Sequence, residues 1–429
     1  MADITPQEIE RAIIVGLNLN NNINFLHSME ELKALTKACN IDVIGMHTQN
    51  ASGVNNAFYV GTGKVDEIKE SILSLNADMV IFDETLSPMQ FRNLTEAFNI
   101  PVFDRTSLIL KIFAERAKTK EAKSQVELAN LQYMLPRLVG MHTALSRQGG
   151  ASGSMSNKGT GEKKLELDRR YIESRISELK KSLGQIAQTR NITRSKREQS
   201  GIIKIALVGY TNAGKSTIMN WMVSLFGNEN ENLVLEKDML FATLDTTIRK
   251  ISTDVLPAFL LSDTVGFIDK LPHSLIKAFQ STLEEVTYAD LILHVVDYSD
   301  EYYDKQIETT ENTLKELGAN KIPYIQIFNK SEYKLEKNKL PIVAGNKIYL
   351  SARERIGMDQ LLKMIFDVLY AGKHKCEFMF PLSRGDILNV LFNKAVVSDY
   401  EYLENGILCH CTCDSEEFYK YEQYIVNKE

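Results

Sequence analysis

The chain has 429 residues, room for about two to four domains that each bury a core. Its 44% hydrophobic and 25% charged composition is that of a globular protein, and it excludes fibrous and disordered classes. No run of about 18 apolar residues and no leader pattern appears, so neither a membrane span nor secretion is expected. The net charge of -6 hides an asymmetry. Residues 105–200 hold 20 Lys+Arg against 9 Asp+Glu, whereas the remainder holds 30 against 47. A block of one sign this size reads as a contact surface for a polyanion.

In chain order, "RAIIVGLN" (11–18), "IDVIGMH" (41–47), "DMVIF" (78–82) and "PVFD" (101–104) are short apolar runs. Helical patterns lie between them, namely "MEELKALTKAC", "KVDEIKESILSL" and "SPMQFRNLTEAF". The alternation predicts a small parallel sheet with helices on it, over residues 1–106. Ser87 before Pro88 reads as a helix N-cap with proline in the first turn. "YVGTGK" (59–64) is a glycine turn into a helix. It is not a phosphate loop, because Phe58 and Val65 break that pattern.

From Ser107 the apolar period becomes helical through "HTAL", and again in "KKLELDRRYIESRISELKKSLGQIAQTR". Between them lies "SRQGGASGSMSNKGTGEKK", rich in glycine, serine and basic residues. Two long helices joined by this tip predict an antiparallel hairpin over 107–200. Arg147, Lys158, Lys163 and Lys164 are the candidate RNA contacts at the tip.

"IIKIALVGYTNAGKST" is a strand, a glycine-rich loop and a helix start. Gly209, Gly214, Lys215 and Ser216 fit G-x-x-x-x-G-K-[ST] in that context, which makes residues 209–217 (with Tyr210, Thr211, Asn212, Ala213 and Thr217) a nucleotide site. Backbone N–H groups cradle phosphates, Lys215 adds charge, and the Ser216 hydroxyl ligates Mg2+. "LLSDTVG" ends in Asp263, which holds Mg2+ through water, and in Thr264, Val265 and Gly266, whose N–H can reach the γ-phosphate. "FATLDTT", with Phe241, Ala242, Leu244 and Asp245, supplies a switch threonine. "LILHVVD" (291–297) and "YIQIFNK" (324–330) are further buried strands. Asn329 and Lys330, followed by Ser331 and Glu332, match the guanine-reading Asn-Lys-x-Asp except at its last position. Ser351, Ala352 and Arg353 in "YLSARE" face the base. This is the motif order of a GTPase, over 201–370. Phe267 stands where a glutamine can orient the attacking water, so slow intrinsic hydrolysis is expected. Glu332 keeps the carboxylate that reads guanine but adds a methylene, which relaxes discrimination against adenine.

The last stretch, 371–429, reads strand, helix, strand, strand, helix and is expected to be a small α+β docking module. Cys409, Cys411 and Cys413 alternate in "CHCTC", as on one face of a strand. CxCxC lacks the two-residue spacing of common zinc knuckles, so with Cys39 and Cys376 these are read as structural thiols of a reducing cytoplasm.

Across nearly its whole length the chain resembles the HflX-type ribosome-associated GTPases. The residues that carry this are "YVGTGKVDEI", "RTSLILKIFAERAKTKEAKSQVELANLQYMLPRLVGM", "LSRQGG", "GYTNAGKST", "LFATLDTT", "DTVGFIDKLPHSLIKAFQSTLEE" and "LHVVD". The resemblance implies an α/β fold in four parts: a parallel N-terminal domain, a helical hairpin, a Ras-like P-loop domain and a small C-terminal domain. It implies a cytoplasmic monomer that uses GTP to bind the large ribosomal subunit and its RNA and to split or rescue stalled ribosomes, with antibiotic and stress effects at the peptidyl-transferase region. It also implies ATP as a second nucleotide of the N-terminal half, Thr243 as the switch ligand to Mg2+, and, through Asn212, potassium as an activator. Thr246 stands where the family has proline, and "GTGEKKLE" stands where its tip reads G-P-G-E-T-Q-L-E. A GTPase with a protein signalling partner and an ATP-using RNA-remodelling factor are the alternatives.

Overall fold

A computed structural model describes residues 9–148, 158–198, 202–227, 240–241, 246–253, 257–272, 275, 280–371 and 373–428. The chain divides into two compact units: Met1–Ala187 with Met239–Phe241 and Asp269–Phe279, and the remainder.

The first unit opens with β1 (Arg11–Leu19), α1 (Phe25–Ala38), β2 (Asp42–Ala51), α2 (Thr62–Leu75), β3 (Met79–Phe82), α3 (Pro88–Phe98) and β4 (Val102–Asp104). The strands form one parallel sheet in the order β2-β1-β3-β4. β1 and β3 are almost wholly apolar because helices cover both faces of a parallel sheet. Ile13, Val15, Val80, Phe82, Ile68 and Leu94 form the core on one side. As the sequence predicts, Ser87 caps α3: its hydroxyl accepts from Gln90 N at 3.2 Å, and the Gln90 side chain accepts from Ser87 N at 2.9 Å. "YVGTGK" is the expected turn, with Gly61 at the N-cap of α2.

The helix expected to run unbroken from Ser107 is two helices, α4 (Arg105–Arg116) and α5 (Lys120–Gln148). Ala117 turns extended, and Thr119 Oγ1 accepts from Ala122 N at 3.1 Å, restarting the helix with its own cap. After α5 comes α6 (Lys158–Glu198), so Gly159 and Gly161 of the expected tip are helical; residues 149–157 lie outside the described ones. Leu128 of α5 packs on Ile176 and Leu179 of α6, and Arg175 grips Glu127 with two bonds of 2.7 and 3.0 Å. Arg147 lies in the last turn of α5; Lys158, Lys163 and Lys164 lie in the first turns of α6.

A buried charge network ties this unit. Arg105 pairs with Glu31 and with Asp83 (2.8 Å), Ser28 donates to Asp83 (2.6 Å), and Lys270 reaches Asp83 and Glu84 at 2.6 and 2.7 Å. Phe241 is buried edge-on against Phe113 of α4, with centroids 4.7 Å apart.

The second unit contains β5 (Lys204–Gly209), α7 (Lys215–Phe226), β6 (Thr247–Ile251), β7 (Phe259–Asp263), α8 (Gln280–Thr287), β8 (Leu291–Asp297), α9 (Tyr303–Glu316), β9 (Tyr324–Asn329), β10 (Ile342–Ala344), β11 (Lys347–Tyr349) and α10 (Met358–Leu369). Its seven-stranded sheet runs β10-β11-β9-β8-β5-β7-β6, parallel except at the two edges. A second, antiparallel sheet follows, built from β12 (His374–Phe380), α11 (Gly385–Lys394), β13 (Val396–Leu403), β14 (Gly406–Cys413), α12 (Ser415–Lys420) and β15 (Ile425–Lys428) in the order β13-β14-β12-β15. The sequence reading misses β6, β10 and β15, all three edge strands of their sheets. Among the described residues no helix is long and apolar enough to cross a membrane.

Candidate functional site

In an open parallel sheet, ligands bind beyond the carboxyl ends of the strands, where the order reverses. The motif residues lie there. Gly209 ends β5, Asp263 ends β7, Asp297 ends β8, Asn329 ends β9, and Ser351 follows β11. β5 is central, flanked by β7 and β8, and its loop leads into α7.

Two glycines are required by space. A Cβ on Gly209 would stand 2.1 Å from Val295 O, and one on Gly214 would stand 2.2 Å from Asn329 Nδ2; both also have positive φ. Asn329 exploits that closeness. Its Nδ2 donates to Ala213 O and its Oδ1 accepts from Ala352 N, each at 3.0 Å. One buried side chain thus fixes the phosphate loop to the segment that follows β11. Lys215 is buried, and its ammonium donates to Tyr210 O (2.8 Å) and Gly209 O (3.2 Å). Burial pushes its pKa down to about 8, against an upward pull from Asp263. A Cβ on Gly266 would come within 3.0 Å of Lys215 Nζ, so the backbone of that turn lies against the ammonium.

Ser216 Oγ donates to the buried Asp263 Oδ2 at 2.7 Å. A hydroxyl and a carboxylate held side by side beneath a phosphate loop are an oxygen-only donor set that suits Mg2+. Thr264 is buried and donates to Leu207 O at 2.8 Å, which locks β7 to β5. Lys330 sits at φ 60° with its ammonium on Asp297 Oδ2 at 2.7 Å. Asp297 has no role in the motif reading. Its place at the end of "LILHVVD" is the signal that points to it. Ser331 is buried and donates to Phe328 O at 2.7 Å. Ser351 Oγ accepts from Glu354 N at 3.1 Å, and Arg353 donates to the Tyr333 hydroxyl at 3.0 Å.

Two residues carry information that spacing does not. Both carboxylate oxygens of Glu332 are shielded from solvent and accept no hydrogen bond among the described residues. Such a group is costly unless a ligand's donors complete it. Phe267 is 2% exposed, and its backbone bridges to the phosphate loop: Thr211 N donates to Phe267 O at 2.8 Å, and Phe267 N donates to Gly209 O at 3.1 Å. The residue that follows Gly266 is therefore a strut of the loop, with no polar group for a water. Tyr210, Thr211 and Val265 are buried in the same turns, Asn212 takes φ 61°, and Thr217 lies in the first turn of α7. Ala242, Thr243, Leu244 and Asp245 lie outside the described residues. The Phe241 ring packs on Phe113 in the first unit.

Family models match along most of the chain: a GTP-binding GTPase N-terminal region at 26–114, a GTP-binding GTPase middle region at 116–197, and a 50S ribosome-binding GTPase at 204–330. GTPase HflX of Caldanaerobacter subterraneus is 42% identical, covering 95% of this chain and 92% of its own. GTPase HflX of Akkermansia muciniphila is 37% identical, covering 99% and 98%, and that of Escherichia coli is 37% identical, covering 92% of each. A solved GTP-binding protein of Sulfolobus solfataricus in complex with GDP is 24% identical, with a TM-score of 0.44 over 84% of this chain and 98% of that one. With this likeness to HflX GTPases over most of its length, the chain belongs to the HflX family of GTPases and hydrolyses GTP.

Proposed function

We propose that the protein couples GTP binding and hydrolysis to the large ribosomal subunit, splitting or rescuing stalled ribosomes in the cytoplasm. The observation that carries this reading is the basic hairpin. Residues 105–200 carry 20 Lys+Arg against 9 Asp+Glu, and within that stretch α5 and α6 are stapled by the Leu128 cluster and the Arg175–Glu127 pair. A positively charged helical pair in the chain of a GTPase suits a nucleic-acid partner more than a protein one. A 50S ribosome-binding model matching 204–330 supports the same partner. In this reading residues 1–106, 107–200, 201–370 and 371–429 are the four modules, and Arg147, Lys158, Lys163 and Lys164 meet ribosomal RNA.

The chemistry follows from the site. Lys215 exchanges its backbone acceptors for the outer phosphates. Ser216, Thr243 and Asp263 would hold Mg2+, which when bound would offset phosphate charge in the transition state. Glu332 accepts from the guanine edge, while Asn329 keeps the base segment and phosphate loop in register. With Phe267 buried, no side chain there orients the attacking water, so the resting rate is low and the ribosome supplies the missing order. Asn212 offers an oxygen to a potassium ion at the phosphates.

Multiple-turnover assays test the coupling. The isolated protein should hydrolyse GTP slowly, large subunits should accelerate it, and potassium should outperform sodium. Equal rates with and without subunits would remove the ribosome from the mechanism and favour a protein partner.

A further inference from the structure

The sequence reading takes the cysteines as structural thiols. Their arrangement says more. β12 and β14 pair antiparallel, with Cys376 facing Cys411 and His374 facing Cys413. Side chains two apart share a face, so these four residues stand on one side of the sheet. The thiols of Cys376, Cys411 and Cys413 converge: all three sulfurs lie within 4.8 Å of one another, with Cys376 Sγ at 3.9 Å from Cys411 Sγ and 3.6 Å from Cys413 Sγ. His410, the histidine inside "CHCTC", is not part of this. It points to the other face, where its Nδ1 meets Glu377 at 3.1 Å.

Zn–S bonds are about 2.3 Å, so two sulfurs on a tetrahedral zinc are about 3.8 Å apart. The separations of 3.6 and 3.9 Å bracket that value. The thiols are buried in a core of Phe378, Phe380, Ile387, Leu391 and Phe418, which keeps competing water away. His374 is half-buried at the open end of the row, its ring stacked on Phe418 at 4.1 Å and its Nε2 3.2 Å from Ser415 Oγ. It lies outside the 4.8 Å set, so a ring rotation would be needed to bring Nδ1 in.

We propose that Cys376, Cys411 and Cys413 form a zinc site in the C-terminal sheet, with the fourth position open towards His374. Binding is a ligand exchange. Three S–H bonds break, three Zn–S bonds form, and three protons pass to solvent with no change of oxidation state. One ligand comes from β12 and two from β14, strands far apart in sequence, so only the Cys411–Cys413 pair is close in the chain. Its role is to clamp β12 to β14, independent of the nucleotide site.

The test is metal content and cadmium titration of the full chain, purified under reducing conditions without chelator. One equivalent of zinc should be retained, and Cd2+ should replace it with a thiolate charge-transfer band. Cys376→Ser and Cys413→Ser should weaken binding by at least about 100-fold, the most that losing even a second-shell partner costs. Cys39→Ser, at a buried cysteine of the first unit, should leave it unchanged. Should a serine variant fail to fold, wild-type alkylation followed by mass spectrometry gives the same answer. Zinc should slow labelling of Cys376, Cys411 and Cys413 but not of Cys39. Zinc-free protein that gives no charge-transfer band, or labelling at equal rates with zinc and with chelator, would reduce the trio to packed thiols.

Discussion

Lys215 is the residue whose environment differs most from its motif description. The pattern asks only for a positive charge, whereas the folded chain buries that charge and lowers its pKa to about 8 from 10.5. Between these values the folded state binds fewer protons than the unfolded one, so this group's contribution to stability rises with pH through that window. Phosphate binding draws the other way, because it needs the ammonium. Calorimetry in buffers of different ionisation enthalpy should therefore find GTP binding taking up nearly one proton at about pH 9 and almost none at about pH 7. Equal uptake at both would mean that the ammonium stays charged. Glu332 is the second case. That it accepts no hydrogen bond among the described residues suits a carboxylate reserved for guanine donors. Glu332→Asp should tighten GTP against ATP in competitive displacement of a fluorescent GTP analogue, since the shorter arm reaches the base edge unkinked. Unchanged discrimination would take Glu332 out of base reading. Most of this site was legible, because a phosphate loop is local in sequence. The bridge made by Asn329, the Asp297–Lys330 pair and the burial of Phe267 were not, since each depends on which strands become neighbours.

Among the elements, the parallel sheets were read from alternating apolar runs, and their central strands agree with that reading. What was missed has a common cause. β6, β10 and β15 are short edge strands, and an edge strand owes its existence to the partner it borders more than to its own pattern. The break between α4 and α5 is likewise a matter of capping: helical periodicity continues across Ala117–Thr119, and the Thr119 hydroxyl decides the restart. The charge network of the first unit is another consequence of tertiary proximity. Arg105 is fully buried between Glu31 and Asp83, from three separate elements and loops. Arg105→Leu takes the guanidinium away from two buried carboxylates and should lower stability by about 3–5 kcal/mol in urea denaturation. Lys270→Ala should cost less, as Lys270 is partly solvated and Arg105 remains. A loss below about 1 kcal/mol for Arg105→Leu would mean that water or a shifted proton compensates the acids.

For the whole molecule, charge distribution is the feature on which the proposed partner rests. The chain is acidic overall, yet its hairpin region is strongly basic, a division that ordinary solubility does not require. Binding through that region should be electrostatic and should weaken by orders of magnitude as salt rises from about 50 to 200 mM. The central claim, that GTP state controls engagement of the large subunit through the hairpin, is tested most directly by sucrose-gradient co-sedimentation. The full chain and a variant lacking Gly150 to Thr160 would each be run with large subunits, in GDP and in a non-hydrolysable GTP analogue. The full chain should travel with the subunit in the analogue and stay near the top in GDP, while the tip-deleted variant should bind nucleotide normally but travel with the subunit far less. Full-length protein that remains at the top in both nucleotides, or a deletion that co-sediments and splits ribosomes like the full chain, would contradict it.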